Sequence, residues 1–398
     1  MKIDDTMLRR LGRQTWYLID LDVIASNFRD MRTIVGSGVK IAAVLKADAY
    51  GHGAVIVAGT VLEAGADMLA VATLSEALEL RRVYSEAKIV VMGHTPDVFA
   101  DVLIKNGIMP TVFDAGNAAA FSAAARAAGR CLSIHIKLDT GMNRLGIKAY
   151  EDPVGAIAKI ASMQGLFVES VFTHLALRDR ASDVAQFALF EEILAGCAAR
   201  GIATGLRHVG DSIGAVRYPE FRLDMVRVGA ALFGVRPGRM GPEYDAFPFL
   251  QASTFTTRIA RIRHLDSGEM VSYDDSWKAP AGGTMVATLP VGYADGYPRR
   301  FGNRAQVSIR GRRAPVIGLV CMDQTMVDVG GIEGVREGDD VILLGGGAVS
   351  LNEASEWGST NRNELLCGIG RRVPRLYVRE DRLVASDDRL ATSTIRWF

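Results

Sequence analysis

The chain has 398 residues, 49% of them hydrophobic, with 46 Lys and Arg balancing 45 Asp and Glu for a formal charge of +1. That length allows two domains with sizeable cores. Near-neutrality leaves no electrostatic footprint for nucleic acid or an anionic membrane surface. No apolar run reaches the length of a membrane span, and the N-terminal MKIDDTMLRRLGRQ lacks the apolar core of a secretory signal. Cys131, Cys197, Cys321 and Cys367 have neither metal-type nor redox-type spacing. The expectation is a cytoplasmic protein with reduced cysteines and no metal centre.

In chain order, Thr15–Leu21 reads as a strand and Asp22 as the cap of a helix whose apolar face is Ile24, Phe28, Met31 and Val35. Eight near-continuous apolar runs follow: Ile41–Leu45, Met68–Ala72, Lys88–Met92, Met109–Phe113, Leu132–Leu138, Val168–Thr173, Leu206–Val209 and Met225–Val228. Helical patterns separate them, such as Ser75–Tyr84 with Ser75 as N-cap and the Ala-rich Asn117–Ala128 closed by Gly129. Strands apolar on both faces, alternating with helices, imply a covered parallel sheet. Eight of them predict a TIM-type (β/α)8 barrel, although a doubly wound sheet would give a similar pattern.

After about residue 250 helical periodicity fades. Strand-like segments appear at Thr254–His264, Thr284–Leu289, Ala305–Ile309, Ala314–Ile317, Thr325–Val329 and Asp340–Leu343, with turns at Gly282-Gly283 and Gly330-Gly331. The domains expected are therefore an α/β barrel over 1–250, with the first twenty residues able to lend a strand to its neighbour, and a mainly β domain over 251–398.

Barrel enzymes gather their chemistry at the carboxyl ends of the strands. Lys46 ends the first apolar run, where lost hydration disfavours the ammonium form and leaves a nucleophilic amine suited to Schiff-base chemistry. A snorkelling lysine at a strand end is the alternative on these residues alone. Lys137 lies near the end of the fifth run, Arg144 in the loop after it, His174 at the end of the sixth, Ser212 after the seventh and Arg227 near the end of the eighth. Each has an ordinary structural explanation, but one predicted face carrying all of them points to a single site.

Several motifs resemble those of the alanine racemases, in the family's order. They are KADAYGHG (Lys46–Gly53), HIKLDTGMNRLG (His135–Gly146), THLA (Thr173–Ala176), VRVGAALFG (Val226–Gly234), VSY (Val271–Tyr273), LPVGYADGYPR (Leu289–Arg299), CMDQTMVDV (Cys321–Val329) and RVPRLY (Arg372–Tyr377). The resemblance implies a barrel and a β domain working as a head-to-tail homodimer with shared sites. It also implies pyridoxal 5′-phosphate joined to Lys46, with its phosphate held by Tyr50, Ser212 and the amides near Gly229 and Ala230.

Racemisation removes a proton from one face of a planar centre and returns it on the other, so two bases are required. The resemblance assigns them to Lys46 on the D-face and to Tyr273, contributed by the partner subunit, on the L-face. A free tyrosine titrates near ~10, so a tyrosine base needs positive charge nearby; His174 and Arg227 are implied in a hydrogen-bonded chain to it. Arg227 is also implied at the pyridine nitrogen, as a donor that does not give up its proton. Arg144 is implied at the substrate carboxylate with the amide of the partner subunit's Met322 and with Asp323 beside it, and Tyr293 is implied at the entrance, also from the partner subunit. Lys137 matches a lysine that some members carbamylate. The implied reaction is interconversion of L- and D-alanine for cell-wall peptidoglycan. Racemisation of serine or another small amino acid is the alternative; a decarboxylase, an aldolase or a non-catalytic cofactor binder fits the motifs less well.

Three places depart from the family's pattern. Asp211 precedes the phosphate serine, Asp274-Asp275-Ser276-Trp277 follows Tyr273 where glycine is common, and Arg371 stands where some members have an aromatic residue.

Overall fold

The computed structural model describes residues 5–236, 249–388 and 396–397. Strand β1 (Thr15–Asp20) comes first. The parallel strands β2 (Lys40–Val44), β3 (Met68–Val71), β4 (Ile89–His94), β5 (Met109–Val112), β6 (Leu132–Asp139), β7 (Leu166–Phe172), β8 (Leu206–His208) and β9 (Met225–Val228) then pair in sequence order, and β9 returns to pair with β2. Asp224 N–H donates to Arg207 O and Arg227 N–H to Gly210 O, so the eighth and ninth strands also meet and the ring closes. A doubly wound sheet is excluded, because its edge strands would not return to each other. β3, β5 and β9 are buried along their whole length, and β2 from Ile41 onward, because helices cover the outside while side chains fill the interior.

Two helix caps differ from expectation. Asp20, rather than Asp22, caps the helix Leu21–Val35 by accepting from Val23 N–H over 3.0 Å. Thr73, rather than Ser75, caps Leu74–Val83 in a reciprocal box with Glu76. In both cases the carboxylate or hydroxyl that reaches the free amides lies just before the first helical turn.

The second domain contains β10 (Ser253–Arg258), β11 (Arg261–Leu265), β12 (Thr284–Leu289), β13 (Gln306–Ile309), β14 (Arg312–Ile317), β15 (Thr325–Asp328), β16 (Asp340–Gly345), β17 (Arg375–Arg379), β18 (Arg382–Asp387) and β19 (Arg396–Trp397). With β1 they form one sheet in the order β11-β12-β15-β14-β13-β16-β10-β1-β17-β18-β19. β1 pairs antiparallel with β10 and parallel with β17, so the chain's first strand lies inside the second domain's sheet. The single strand expected over Thr254–His264 is two, because at Ile259 and Ala260 the chain leaves β16 and joins β12. Helices Leu351–Gly358 and Arg362–Cys367 are additional to the expected β segments. The expected boundary near 250 adjoins residues 237–248, which lie outside the described residues.

Candidate active site

Lys46 is half-buried just beyond β2, and the backbone then does something that propensity opposes. Ala47, Asp48, Ala49 and Tyr50 all have φ between 52° and 56°, making a short left-handed turn of non-glycine residues. Each costs about 1–2 kcal/mol relative to a right-handed conformation, so the surroundings must hold them. Glu76 Oε1 accepts from Ala47 N–H (2.7 Å) and Asp48 Oδ1 from Ala54 N–H (2.8 Å). His52 is fully buried, and burial pushes it down to about 4, so it is neutral. Its Nδ1 lies 3.0 Å from both Ala49 O and Tyr50 O and must be the donor there; Nε2 then accepts from Ser253 or Tyr17 in the second sheet. Arg375, buried on β17, donates to Gly51 O. Gly51 (φ 82°) and Gly53 (φ 88°) are needed as glycines, since a Cβ at Gly51 would lie 2.3 Å from Leu366 O. Both domains thus clamp the turn that carries Lys46 and Tyr50.

At the carboxyl ends of the barrel strands lies a cavity of about 530 Å³. Of the residues expected from sequence, Lys46, Tyr50 and Ser212 line it, as do Gly229 and Ala230. Lys137, Arg144, His174 and Arg227 line it too. The electrostatics are set by burial among cations. Desolvation and then Arg144 depress Lys46, while desolvation, Arg227 and Arg144 push Lys137 down to about 7. Lys137 Nζ sits 4.6 Å from the centre of the Phe172 ring. Burial and the neighbouring Arg227 hold His174 far below its usual range, leaving it neutral.

Arg227 is anchored through both terminal nitrogens. Nη1 donates to His208 Nδ1 (2.7 Å), and Nη2 to Val209 O (2.9 Å), Thr173 O (3.0 Å) and His174 Nδ1 (3.2 Å). Burial pushes it down to about 10, so it remains a cation at neutral pH. Its Nε–H has no hydrogen-bond acceptor among the described residues and is left for a ligand. His174 accepts at Nδ1, which places its own proton on Nε2. Ser212 Oγ accepts from Gly229 N–H (3.0 Å) and Ala231 N–H (3.4 Å), so its hydroxyl proton is free to donate. The Gly229 amide expected to face the phosphate directly is committed to this serine.

Tyr273, Tyr293, Met322 and Asp323 do not line this cavity. They gather on a second surface, where Tyr273 is 62%, Met322 52% and Tyr293 40% exposed. Ser272, beside Tyr273, donates through Oγ to Leu319 O, and Tyr293 N–H donates to Cys321 O. Arg372 spans Asp295 Oδ1 (3.1 Å) and Asp323 Oδ1 (2.8 Å from each terminal nitrogen), joining the Tyr293 turn to the Met322 loop. Ser272 (φ 70°) and Asp274 (φ 61°) occupy left-handed backbone around Tyr273, which accounts for glycine being favoured after the tyrosine.

Asp211 lines the cavity without opposing an anion outright. Its Oδ1 accepts from Ile213 and Gly214 N–H (3.0 and 2.8 Å), capping the helix Ser212–Arg217, and burial pushes its carboxyl up. Arg371 is exposed and is not among the cavity's lining residues. The second-domain side chain that does reach the cavity is Asn363, in the helix Arg362–Cys367. Sequence reasoning missed it, since an asparagine at the start of a short helix reads as a cap, the role that Asn361 fills. Among the described residues no helix is long and apolar enough to cross a membrane, and no group of His, Cys, Asp and Glu could hold a metal ion.

Residues 19–237 match the family described as alanine racemase, N-terminal domain, and 252–377 match alanine racemase, C-terminal domain. The alanine racemase of Desulforamulus reducens is 40% identical over 369 residues, covering 91% of this chain and 98% of that protein. That of Symbiobacterium thermophilum is 41% identical over 374 residues, covering 92% and 97%. Among solved structures, alanine racemase from Clostridium difficile superposes with a TM-score of 0.89 at 33% identity, covering 95% of this chain and 99% of that one. Alanine racemase from Bartonella henselae, solved with covalently bound pyridoxal phosphate, gives 0.84 at 28% identity, covering 92% and 99%. By fold, site and kinship together, the chain belongs to the alanine racemase family, the pyridoxal 5′-phosphate-dependent isomerases that interconvert L- and D-alanine.

Proposed function

We propose that the chain racemises alanine by a two-base mechanism in sites completed by a second copy of itself, supplying D-alanine for peptidoglycan in the cytoplasm. The observation that carries this reading is the division of the expected residues into a barrel cavity and an exposed cluster on the second domain. Two copies arranged head to tail would bring each cluster to the other's cavity.

The residues fit the cofactor. Lys46 provides the amine, Ser212 and Tyr50 provide hydroxyl donors, Gly229 leaves room beside the Tyr50 hydroxyl, and Arg227 Nε–H is unclaimed. When bound, pyridoxal phosphate supplies the electron sink that acidifies the α-proton of an amino acid joined to it. Lys46, its ammonium disfavoured by burial and Arg144, exchanges that proton on one face. Tyr273 of the partner subunit exchanges it on the other, receiving a hydrogen bond from the proton that His174 carries on Nε2. Arg227, which stays a cation, would hold the pyridine nitrogen by donating to it without giving up its proton, an arrangement that disfavours decarboxylation and transamination and counts against a decarboxylase. Arg144 forks onto the substrate carboxylate with the partner subunit's Met322 amide. A buried lysine displaced to about 7 is partly neutral and can attack carbon dioxide, releasing a proton to form a carbamate. On Lys137 that anion would lie between Arg144 and Arg227 and orient the former.

The test is complementation. Lys46→Ala and Tyr273→Phe are each expected to be inactive. A mixed dimer holds one site with both lesions and one with neither, so co-refolding restores racemisation measured by chiral chromatography of alanine and serine. No recovery, with heterodimers demonstrated and cofactor bound, refutes the shared site.

A further inference from the structure

A hydrogen-bond chain leaves the cavity through the barrel interior and ends on a histidine that the mechanism above does not use. Arg227 Nη1 lies 2.7 Å from His208 Nδ1, His208 Nε2 lies 2.9 Å from Ser170 Oγ, and Ser170 Oγ lies 2.5 Å from His135 Nδ1. Ser170 and His135 are fully buried, and His208 is 2% exposed. A guanidinium only donates, so the direction of the first bond is settled and it fixes the tautomer of His208. His208 accepts at Nδ1, carries its proton on Nε2 and donates to Ser170. Ser170 accepts there, and among the described residues its hydroxyl proton has His135 Nδ1 as its acceptor, so His135 carries its own proton on Nε2.

We propose that Ser170 and His135 are positioning residues for the racemase site, holding His208 in its Nε2–H tautomer so that Nδ1 stays available to anchor Arg227. The proposal rests on the assignment of Arg227 to the pyridine nitrogen and extends the site two residues deeper into the barrel. The alternatives are blocked. A proton on His208 Nδ1 would face an Arg227 N–H across 2.7 Å. Burial and Arg227 hold His208 well below its usual range, and burial with Lys88 pushes His135 down to about 3, so neither becomes an imidazolium near neutrality. The Phe172 ring lies flat against His208 (4.7 Å between centres, 3° between planes) and opposes ring rotation. The direction imposed from Arg227 leaves His135 Nε2–H buried without a protein acceptor among the described residues. A chain built for packing alone would be expected to end on a satisfied group.

Two readouts test the proposal on the holoenzyme. The chain has six histidines, so ring-nitrogen chemical shifts of histidine-labelled protein, assigned through single variants, report each tautomer. His208 and His135 should both be neutral with the proton on Nε2; a proton on His208 Nδ1, or an imidazolium at either position at neutral pH, overturns the proposal. In kinetics, Ser170→Ala strips His208 Nε2–H of its acceptor and should lower kcat about tenfold while KM for alanine stays within about twofold. His135→Asn, which can still accept the Ser170 hydroxyl, should keep kcat within about threefold, whereas His135→Leu should fall with Ser170→Ala. Unchanged kcat in folded Ser170→Ala, or equal losses for Asn and Leu at position 135, also overturns it. The tautomer measurement does not depend on the roles of Lys46 and Tyr273, so failure of their complementation and failure of this inference are separate results.

Discussion

At Gly229 a single methyl group tests how the cofactor phosphate is held. The glycine's φ is −126°, outside the left-handed region, so the test concerns space. An alanine Cβ there would lie 2.5 Å from Tyr50 Oη, 3.1 Å from Tyr50 Cζ and 3.2 Å from Val44 Cβ. Val44 is fixed in a barrel strand and the buried Tyr50 ring packs 5.3 Å from that of Phe233, so the hydroxyl must shift by roughly 1 Å to regain ordinary contact. Overpacking of this kind costs ~1–3 kcal/mol, and a hydrogen bond to a charged group contributes ~1.5–3 kcal/mol. At ~1.4 kcal/mol per factor of ten, Gly229→Ala should weaken pyridoxal phosphate binding about 10- to 100-fold. KM for alanine at saturating cofactor should stay within about twofold. Equilibrium dialysis with visible absorbance measures the first and chiral chromatography the second. Tyr50→Phe removes the oxygen that the methyl group strikes. The double variant should therefore bind cofactor no more than about threefold worse than Tyr50→Phe alone. Fully additive losses, or no loss in Gly229→Ala, would refute the reasoning.

Arg372→Leu should raise KM for alanine by releasing Asp323 and lower stability by about 1–2 kcal/mol in denaturant unfolding, because the buried Asp295 keeps only Arg13 and an amide; unchanged KM would disconnect that ion pair from the substrate site. Lys46→Ala should abolish borohydride-stable attachment of the cofactor, and peptide mapping of wild type should find the adduct on Lys46; an adduct on another lysine overturns the assignment. Because Lys137 is displaced to about 7, its amine is mostly neutral above that pH and protonated below it. Bicarbonate should therefore restore activity to enzyme stripped of carbon dioxide at about pH 8 but not at about pH 6, and Lys137→Ala should not respond. Equal restoration at both pH values would sink the carbamate.

Much of the barrel was legible because a strand buried on both faces is apolar along nearly all its length, so Ile41–Leu45 announces itself whatever its neighbours are, and Met225–Val228 does so with Arg227 as its one charged residue. The caps were less legible: Asp22 and Ser75 have the right chemistry two residues too late, and a local rule cannot choose between two carboxylates, or two hydroxyls, that close together. The corner at Ile259 went unseen because both sides of it have strand composition. Asn363 carried no signal. The left-handed turn at Ala47–Tyr50 was hidden for a stronger reason, since four adjacent non-glycine residues there oppose local preference.

By itself, the sequence determined which chemistry the chain carries: a lysine at a strand end, cationic and imidazole groups on one barrel face, and a tyrosine in a second domain. Tertiary structure decided what local pattern cannot encode. Contacts between residues hundreds of positions apart, such as Arg375 with Gly51 and Ser253 with His52, hold the strained turn beneath Lys46. Burial then neutralises His174, His208 and His135, and Arg227, able only to donate, orients the hydrogen bonds among them. The same packing leaves Tyr273 outside its own chain's cavity, since the ion pairs and turns that hold its cluster join second-domain residues to one another and to Arg13 near the chain's start.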